Sequence, residues 1–174
     1  MSKIIDASTV KNRRVFFDTN VWILLEGYNP GAPEKKVNTY SAAYDSLIKG
    51  GNTIVINELV LSEFCHLCSK LAFEDVKRKN PSLQTSFKAF RRKEEFKETM
   101  DGIWATAHNI LANCDFVSSH SYDVDRALMS FSKGTMDFQD VLIAQFCETE
   151  KLTLMSDDKD FARVPNLDLI TYYF

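Results

Sequence analysis

The sequence predicts an α/β fold of three layers, helix on sheet on helix, with a central, mostly parallel sheet of about five strands. Three observations carry this. Short apolar or β-branched runs recur along the chain, too short for helices and apolar enough to be buried on both faces. Between them lie longer segments whose apolar residues repeat at the helical period. The chain has 174 residues, ordinary for one domain of about 100–200 residues, so residues 1–174 are expected to share one core.

Val15-Phe16-Phe17 is the first buried strand, and Asp18 closes it. Val21 to Glu26 continues as helix, and Gly27 to Pro33 reads as loop. Between Lys35 and Lys49, Val37, Tyr40, Ala43, Tyr44 and Leu47 keep helical spacing, and Gly50-Gly51 supplies a left-handed stop. Thr53-Ile54-Val55-Ile56 is the second strand. Asn57 is placed to cap the next helix, whose stripe is Val60, Phe64, Leu67, Cys68 and Leu71. Pro81 interrupts the basic stretch that follows. Phe96 to Cys114 is helical, with Phe96, Met100, Ile103, Trp104, Ala107 and Leu111 in register. Phe116-Val117 is a short strand, and Asp123 to Phe131 and Asp137 to Glu150 are helices. Leu152 to Met155 and Leu169 to Tyr172 complete the sheet as the fourth and fifth strands.

Hydrophobic residues make up 45% and charged residues 26% of the chain, as in ordinary globular proteins. The longest apolar runs fall far short of the roughly 18 residues that span a bilayer. The first residues, MSKIIDASTVKNRR, contain no apolar core before a cleavage site, so export is not expected and a cytoplasmic location is. Four cysteines are therefore expected to stay reduced. Cys65 and Cys68 have the C-x-x-C spacing, but the second ligand pair of a zinc site is missing, and small thiols on an apolar helix face explain them better.

Net charge is −3, which by itself argues weakly against nucleic acid as a partner. The charge is unevenly spread. Residues 76–99 carry eight basic side chains against three acidic ones, a local surplus of five, so the remaining chain stands at −8. This segment reads as a basic helical insertion.

Acidic residues fall where an α/β fold gathers its ligands, just outside the carboxyl ends of the strands. Asp18 ends the first strand, and Glu63 lies about two turns into the helix after the second, on or beside its apolar stripe. Asp137 and Asp140 open the last strong helix on one face. Asp157, Asp158 and Asp160 follow the fourth strand. Each has a plainer reading. Asp18 serves equally as a helix cap, Asp137 and Asp140 as partners of the helix dipole, and Asp157-Asp158 as turn residues. Glu63 resists this, since an ionised carboxylate among apolar neighbours costs free energy unless paired. Several carboxylates in one cleft repel one another, and hard oxygen donors then favour Mg²⁺ or Mn²⁺ over zinc.

Four segments in this order resemble the PIN-domain ribonucleases. Val15-Phe16-Phe17-Asp18-Thr19-Asn20 is similar to the family's opening strand and Asp-Thr/Ser-Asn. Val60-Leu61-Ser62-Glu63-Phe64 is similar to its second motif, and Asp137-Phe138-Gln139-Asp140-Val141-Leu142-Ile143-Ala144 to its third. Ser156-Asp157-Asp158-Lys159-Asp160-Phe161 is similar to its last, and the resemblance spans residues 15–172. It implies metal-dependent cleavage of RNA phosphodiester bonds by water, with Asp18, Glu63 and Asp140 as core metal ligands. Asp158 would be the fourth acid, Asp160 a second candidate for that place, Asp137 an additional acid, and Asn20 a support for Asp18. The nearest type is the VapC-like toxin ribonuclease. That implies an RNA substrate, a possible antitoxin protein and a possible homodimer.

The basic segment then has a use. Lys88, Arg91, Arg92 and Lys93, with Phe87 and Phe90 interleaved, would grip phosphates and stack on a base; equally, they form a solvated helix whose phenylalanines pack inward. A haloacid-dehalogenase-type phosphatase would need an acid where Asn20 stands, and a phospho-receiver domain needs a paired acid and a late Lys that are not evident. A non-catalytic PIN-like scaffold binding RNA or protein is the rival of another class. Loss of a core acid would mark it, and all four are present.

Overall fold

The structure, a computed structural model, describes residues 1–119 and 122–172. The strands are β1 (Lys3–Ile4), β2 (Arg14–Phe17), β3 (Thr53–Ile56), β4 (Asp115–Phe116), β5 (Thr153–Met155) and β6 (Asp168–Ile170). The helices are α1 (Thr19–Leu25), α2 (Glu34–Lys49), α3 (Glu58–Lys79), α4 (Phe87–Phe90), α5 (Lys97–Asn113), α6 (Val124–Phe131) and α7 (Phe138–Glu150), with 3-10 turns at Ala7–Thr9, Glu94–Phe96 and Lys159–Arg163. The six strands form one sheet in the order β1-β6-β5-β2-β3-β4, and the pairing is parallel throughout.

The α/β fold class holds, with one strand more than expected. β1 has two residues, both exposed, and pairs with β6 at the edge of the sheet. An exposed pair has no apolar signature to read. Boundaries moved for local reasons. α1 begins at Thr19 rather than Val21 because the Asp18 carboxylate accepts the Thr19 N–H and caps it. α3 runs on to Lys79, so Lys77, Arg78 and Lys79 occupy its last turn, where cations favour the helix dipole. β4 is Asp115–Phe116, one residue earlier than expected, and the last strand stops at Ile170.

The strand order assigns the layers. From β2 the chain steps to β3 and β4 in one direction, then returns past them to β5 and β6. Right-handed crossovers place α1, α2, α3 and α5 on one face and α6 and α7 on the other. Packing of α1 on α3, α3 on α5 and α6 on α7 agrees with this. Adjacent residues of β2 serve the two faces. Phe16 meets Phe146 of α7 at 5.1 Å between ring centroids, while Phe17 meets Trp22 of α1 at 5.2 Å and Tyr44 of α2 at 6.0 Å. The chain leaves β2 toward one edge and β5 toward the other. The gap between their carboxyl ends is therefore the topological switch point of the sheet.

The basic segment has its own apolar cluster at the far end of α3. Phe73, Phe90 and Phe96 are its buried members. The Phe90 ring lies 5.1 Å from Phe73 and 4.5 Å from Phe96.

Candidate active site

The switch point brings together side chains from four elements. Asp18, at the end of β2, is only 5% exposed. Its carboxylate accepts the Thr19 N–H at 2.7 Å, the Asn20 amide at 2.6 Å and the Ser156 hydroxyl at 2.7 Å. Burial nevertheless pushes its pKa up to about 6, helped by the charges of Glu63 and Asp158 and opposed by the Ser156 and Thr19 bonds. The cap and the site acid are thus one carboxylate.

Glu63 reaches the same edge from α3. Its Oε2 accepts the Thr19 hydroxyl at 2.6 Å and the Gln139 amide at 2.7 Å. Gln139 belongs to α7, so this pair of bonds ties the two helical layers together across the carboxyl ends of the strands. The partner that Glu63 requires, as a half-buried carboxylate, is therefore polar protein.

Asp140 lies in the first turn of α7. Burial raises its pKa to about 7, reinforced by the charges of Asp18, Asp158, Asp137 and Glu63. Four other acids thus act on one carboxyl group, so they share a field. Asp137 is the cap residue of α7, but its side chain makes no capping bond.

The three acids after β5 separate. Asp158 accepts the Asp160 N–H at 2.8 Å, capping the Lys159–Arg163 turn, while its charge bears on both Asp18 and Asp140. Asp160 faces outward, 41% exposed and 3.5 Å from Arg163. Asp157 turns toward α2, where it accepts the Tyr40 hydroxyl at 3.1 Å and pairs with Lys36. Its N–H donates to Asn20 Oδ1 at 3.0 Å. Asn20 therefore braces two neighbours, one with its amide nitrogen and one with its oxygen.

Ser156 is the hub that sequence reasoning passed over. Fully buried, it donates to Asp18, accepts from Asn20 at 3.3 Å and accepts the Asp158 N–H at 3.0 Å, which uses its one proton and both lone pairs. Thr19, Gln139, Tyr40 and Lys36 were passed over too. A polar residue directly after a buried strand, as Ser156 is after Leu152–Met155, was the available signal.

The basic segment packs along α3. Lys88, Arg91 and Arg92 are exposed and Lys93 is half-buried. The Arg91 guanidinium stands 4.8 Å from the centre of the Phe87 ring, and Phe87 meets His66 edge-on at 5.9 Å. His66 is one turn after Glu63 on α3. The near end of the basic segment therefore rests one helical turn from a site acid. Phe90 is 4% exposed inside its aromatic cluster, so stacking a base on Phe90 is ruled out by packing.

Among the described residues no group of three His, Cys, Asp or Glu side chains is arranged to hold a metal as it stands. The chemistry of the set still fits a hard divalent cation: the donors are carboxylate oxygens, and two of them are held toward protonation by burial and by each other. Cys65 and Cys68 do not join it. Both lie within α3 as free thiols, and burial pushes Cys68 up to about 12.

A doubly wound parallel sheet with acids at its switch point defines an α/β protein whose ligand site lies at the carboxyl edge of the sheet. The PIN domain profile matches residues 15–167, and the chain belongs to the PIN-domain family, whose members are generally nucleases. Among solved structures it is similar to a chain of VapBC2 from Rickettsia felis bound to a DNA fragment from their promoter, with TM-score 0.59, 18% identity, and coverage of 91% of this chain and 98% of that one. A toxin–antitoxin complex from Klebsiella pneumoniae gives TM-score 0.48 and 16% identity over 92% of this chain and 99% of that one. A search of curated proteins found no match.

Proposed function

We propose that this chain is an endoribonuclease dependent on Mg²⁺ or Mn²⁺, and the toxin of a toxin–antitoxin pair. One observation carries the catalytic part: burial and the charges of four other acids push the Asp140 carboxyl to about 7 at the switch point. Such a cluster is costly without cations and favourable with them. Asp18, Glu63, Asp140 and Asp158 are the acids that would hold the metal. Asp137 stands at the margin of the set, and Asp160 is the weaker candidate because it faces outward. When bound, divalent cations would polarise the scissile phosphate and lower the pKa of the attacking water. Ser156 and Asn20 orient Asp18 for that task, and Thr19 and Gln139 orient Glu63. Lys88, Arg91, Arg92 and Lys93 would draw in the RNA backbone, offsetting the acidity of the cleft.

The toxin part draws on the likeness to the Rickettsia felis VapBC2 complex, whose fold this chain shares. It predicts an antitoxin protein as partner, with a homodimer as the toxin's form, acting in the cytoplasm. Among the described residues no helix is long and apolar enough to cross a membrane.

The test is cleavage of single-stranded RNA. Activity is expected with Mg²⁺ or Mn²⁺, none with EDTA, and a loss of at least about 100-fold in Asp18→Asn and Asp140→Asn. Full activity in both variants would overturn the assignment. Metal-dependent RNA binding without cleavage by the unmodified protein would favour the scaffold alternative. Growth arrest on expression, relieved by the product of an adjacent reading frame, is the expected result for a toxin.

A further inference from the structure

A cavity of about 610 Å³ lies on the other helical face, between α6, α7 and the turn leading into β6. None of Asp18, Glu63, Asp140 or Asp158 lines it. Its volume is that of a binding pocket, which usually measures about 300–1,000 Å³. Val141, Ala144, Leu152 and Leu167 give it an apolar floor. Its rim is cationic, with five basic side chains against Glu148 and Asp168. Two of the five are matched: Arg13 pairs with Asp168 at 2.7 Å and Arg126 with Glu148 at 2.5 Å. Among the described residues Arg163 has only its 3.5 Å contact with Asp160. Lys133 and Lys151 have no acidic partner among the described residues, which leaves a positive surplus over an apolar hollow.

We propose that this cavity docks an acidic, amphipathic segment of a partner protein, with an aliphatic side chain on the floor and carboxylates at Lys133, Lys151 and Arg163. Charge complementarity selects an anionic occupant. The lining selects a peptide over a nucleic acid: no aromatic side chain among the described residues lines the cavity, so it offers no platform for a base. Met136 at the wall suits adaptable aliphatic packing. A second copy docking by two-fold symmetry would set this surface against itself and bring like charges together. The surface is separate from the acidic cleft, so it stands whether or not the chain cleaves RNA.

The test uses the full chain, isotopically labelled for amide NMR, with three probes: a 15-residue peptide of Glu-Leu-Glu-Glu-Leu repeats, an oligoglutamate of equal length, and a ten-nucleotide uridine RNA. The leucine-containing peptide is expected to shift the amides of Ala144 and Leu167, and to bind at least tenfold more weakly to the exposed-lysine variant Lys133→Glu/Lys151→Glu. Oligoglutamate is expected to bind more weakly than that peptide. Equal peptide affinity in the variant, equal binding of oligoglutamate, or shifts at these amides from the RNA alone would overturn the proposal. Self-association abolished by the same variant would assign the cavity to a second copy instead.

Discussion

At the scale of single residues, Ser156 shows how much one buried hydroxyl organises. Its proton goes to Asp18 and its lone pairs receive Asn20 and the Asp158 N–H. Ser156→Ala leaves that N–H unpaired and removes one of the donors that hold Asp18 ionised. Loss of a buried partner costs about 1–3 kcal/mol. Urea unfolding of the metal-free protein should therefore show a lower midpoint. RNA cleavage should fall about 10–100-fold, the usual effect of removing a group that orients a ligand. Unchanged cleavage would mean that Asp18 needs no such support. Ser156 was visible only as part of a motif, because no spacing rule tells which hydroxyl points inward.

At the scale of elements, the basic segment is a folded appendage rather than a loose arm. Phe90 is buried between Phe73 and Phe96, while Lys88, Arg91 and Arg92 face water. Sequence periodicity allows inward packing and base stacking equally, and packing decides for Phe90. The charges remain available for phosphate. Arg91→Ala with Arg92→Ala is expected to weaken single-stranded RNA binding and to flatten its salt dependence, by about 0.7 in slope for each phosphate no longer neutralised. A salt titration with an unchanged slope would show that these arginines only solvate the surface. Arg91 rests on Phe87, whose ring meets His66 one turn after Glu63 on α3.

At the scale of the whole molecule, the acids link folding to pH and cation. Asp140 has a folded pKa of about 7, and Asp18 one of about 6, both above the ordinary value of 3.8. Between the ordinary and the raised values the folded chain holds more protons than the unfolded one. Stability of the metal-free protein should therefore fall as pH rises from about 4 to about 7, and level off above that. The unfavourable contribution is complete above the folded values and absent below the unfolded ones. Thermal melts in EDTA should show Tm falling across this window from these groups, with Asp140→Asn flattening the fall. In a chain of this size each kcal/mol recovered raises Tm by about 2–4 °C. Mg²⁺ should raise Tm more at pH 7.5 than at pH 5. An equal shift at both pH values would place the cation away from these carboxylates.

The sequence by itself determined the class of fold and a short set of candidate acids. Buried strands such as Val15-Phe16-Phe17 and Thr53–Ile56 announce themselves through composition, and parallel sheets place ligands after strands. Asp18, Glu63 and Asp140 were therefore legible as candidates, with Asp158 and Asp160 both open for the fourth place. Tertiary structure decided what no local pattern holds. It added β1, whose exposed residues carry no signal. It turned Asp157 toward Tyr40 and Lys36, and Asp160 toward Arg163, while leaving Asp158 within the field of the other acids. It also joined Gln139 to Glu63 across two layers. These pairings bring together residues far apart in sequence, Tyr40 and Asp157 standing 117 positions from each other. Which of several adjacent carboxylates faces the cleft depends on the turn after β5 and the helices packed beside it, and only the assembled sheet sets both.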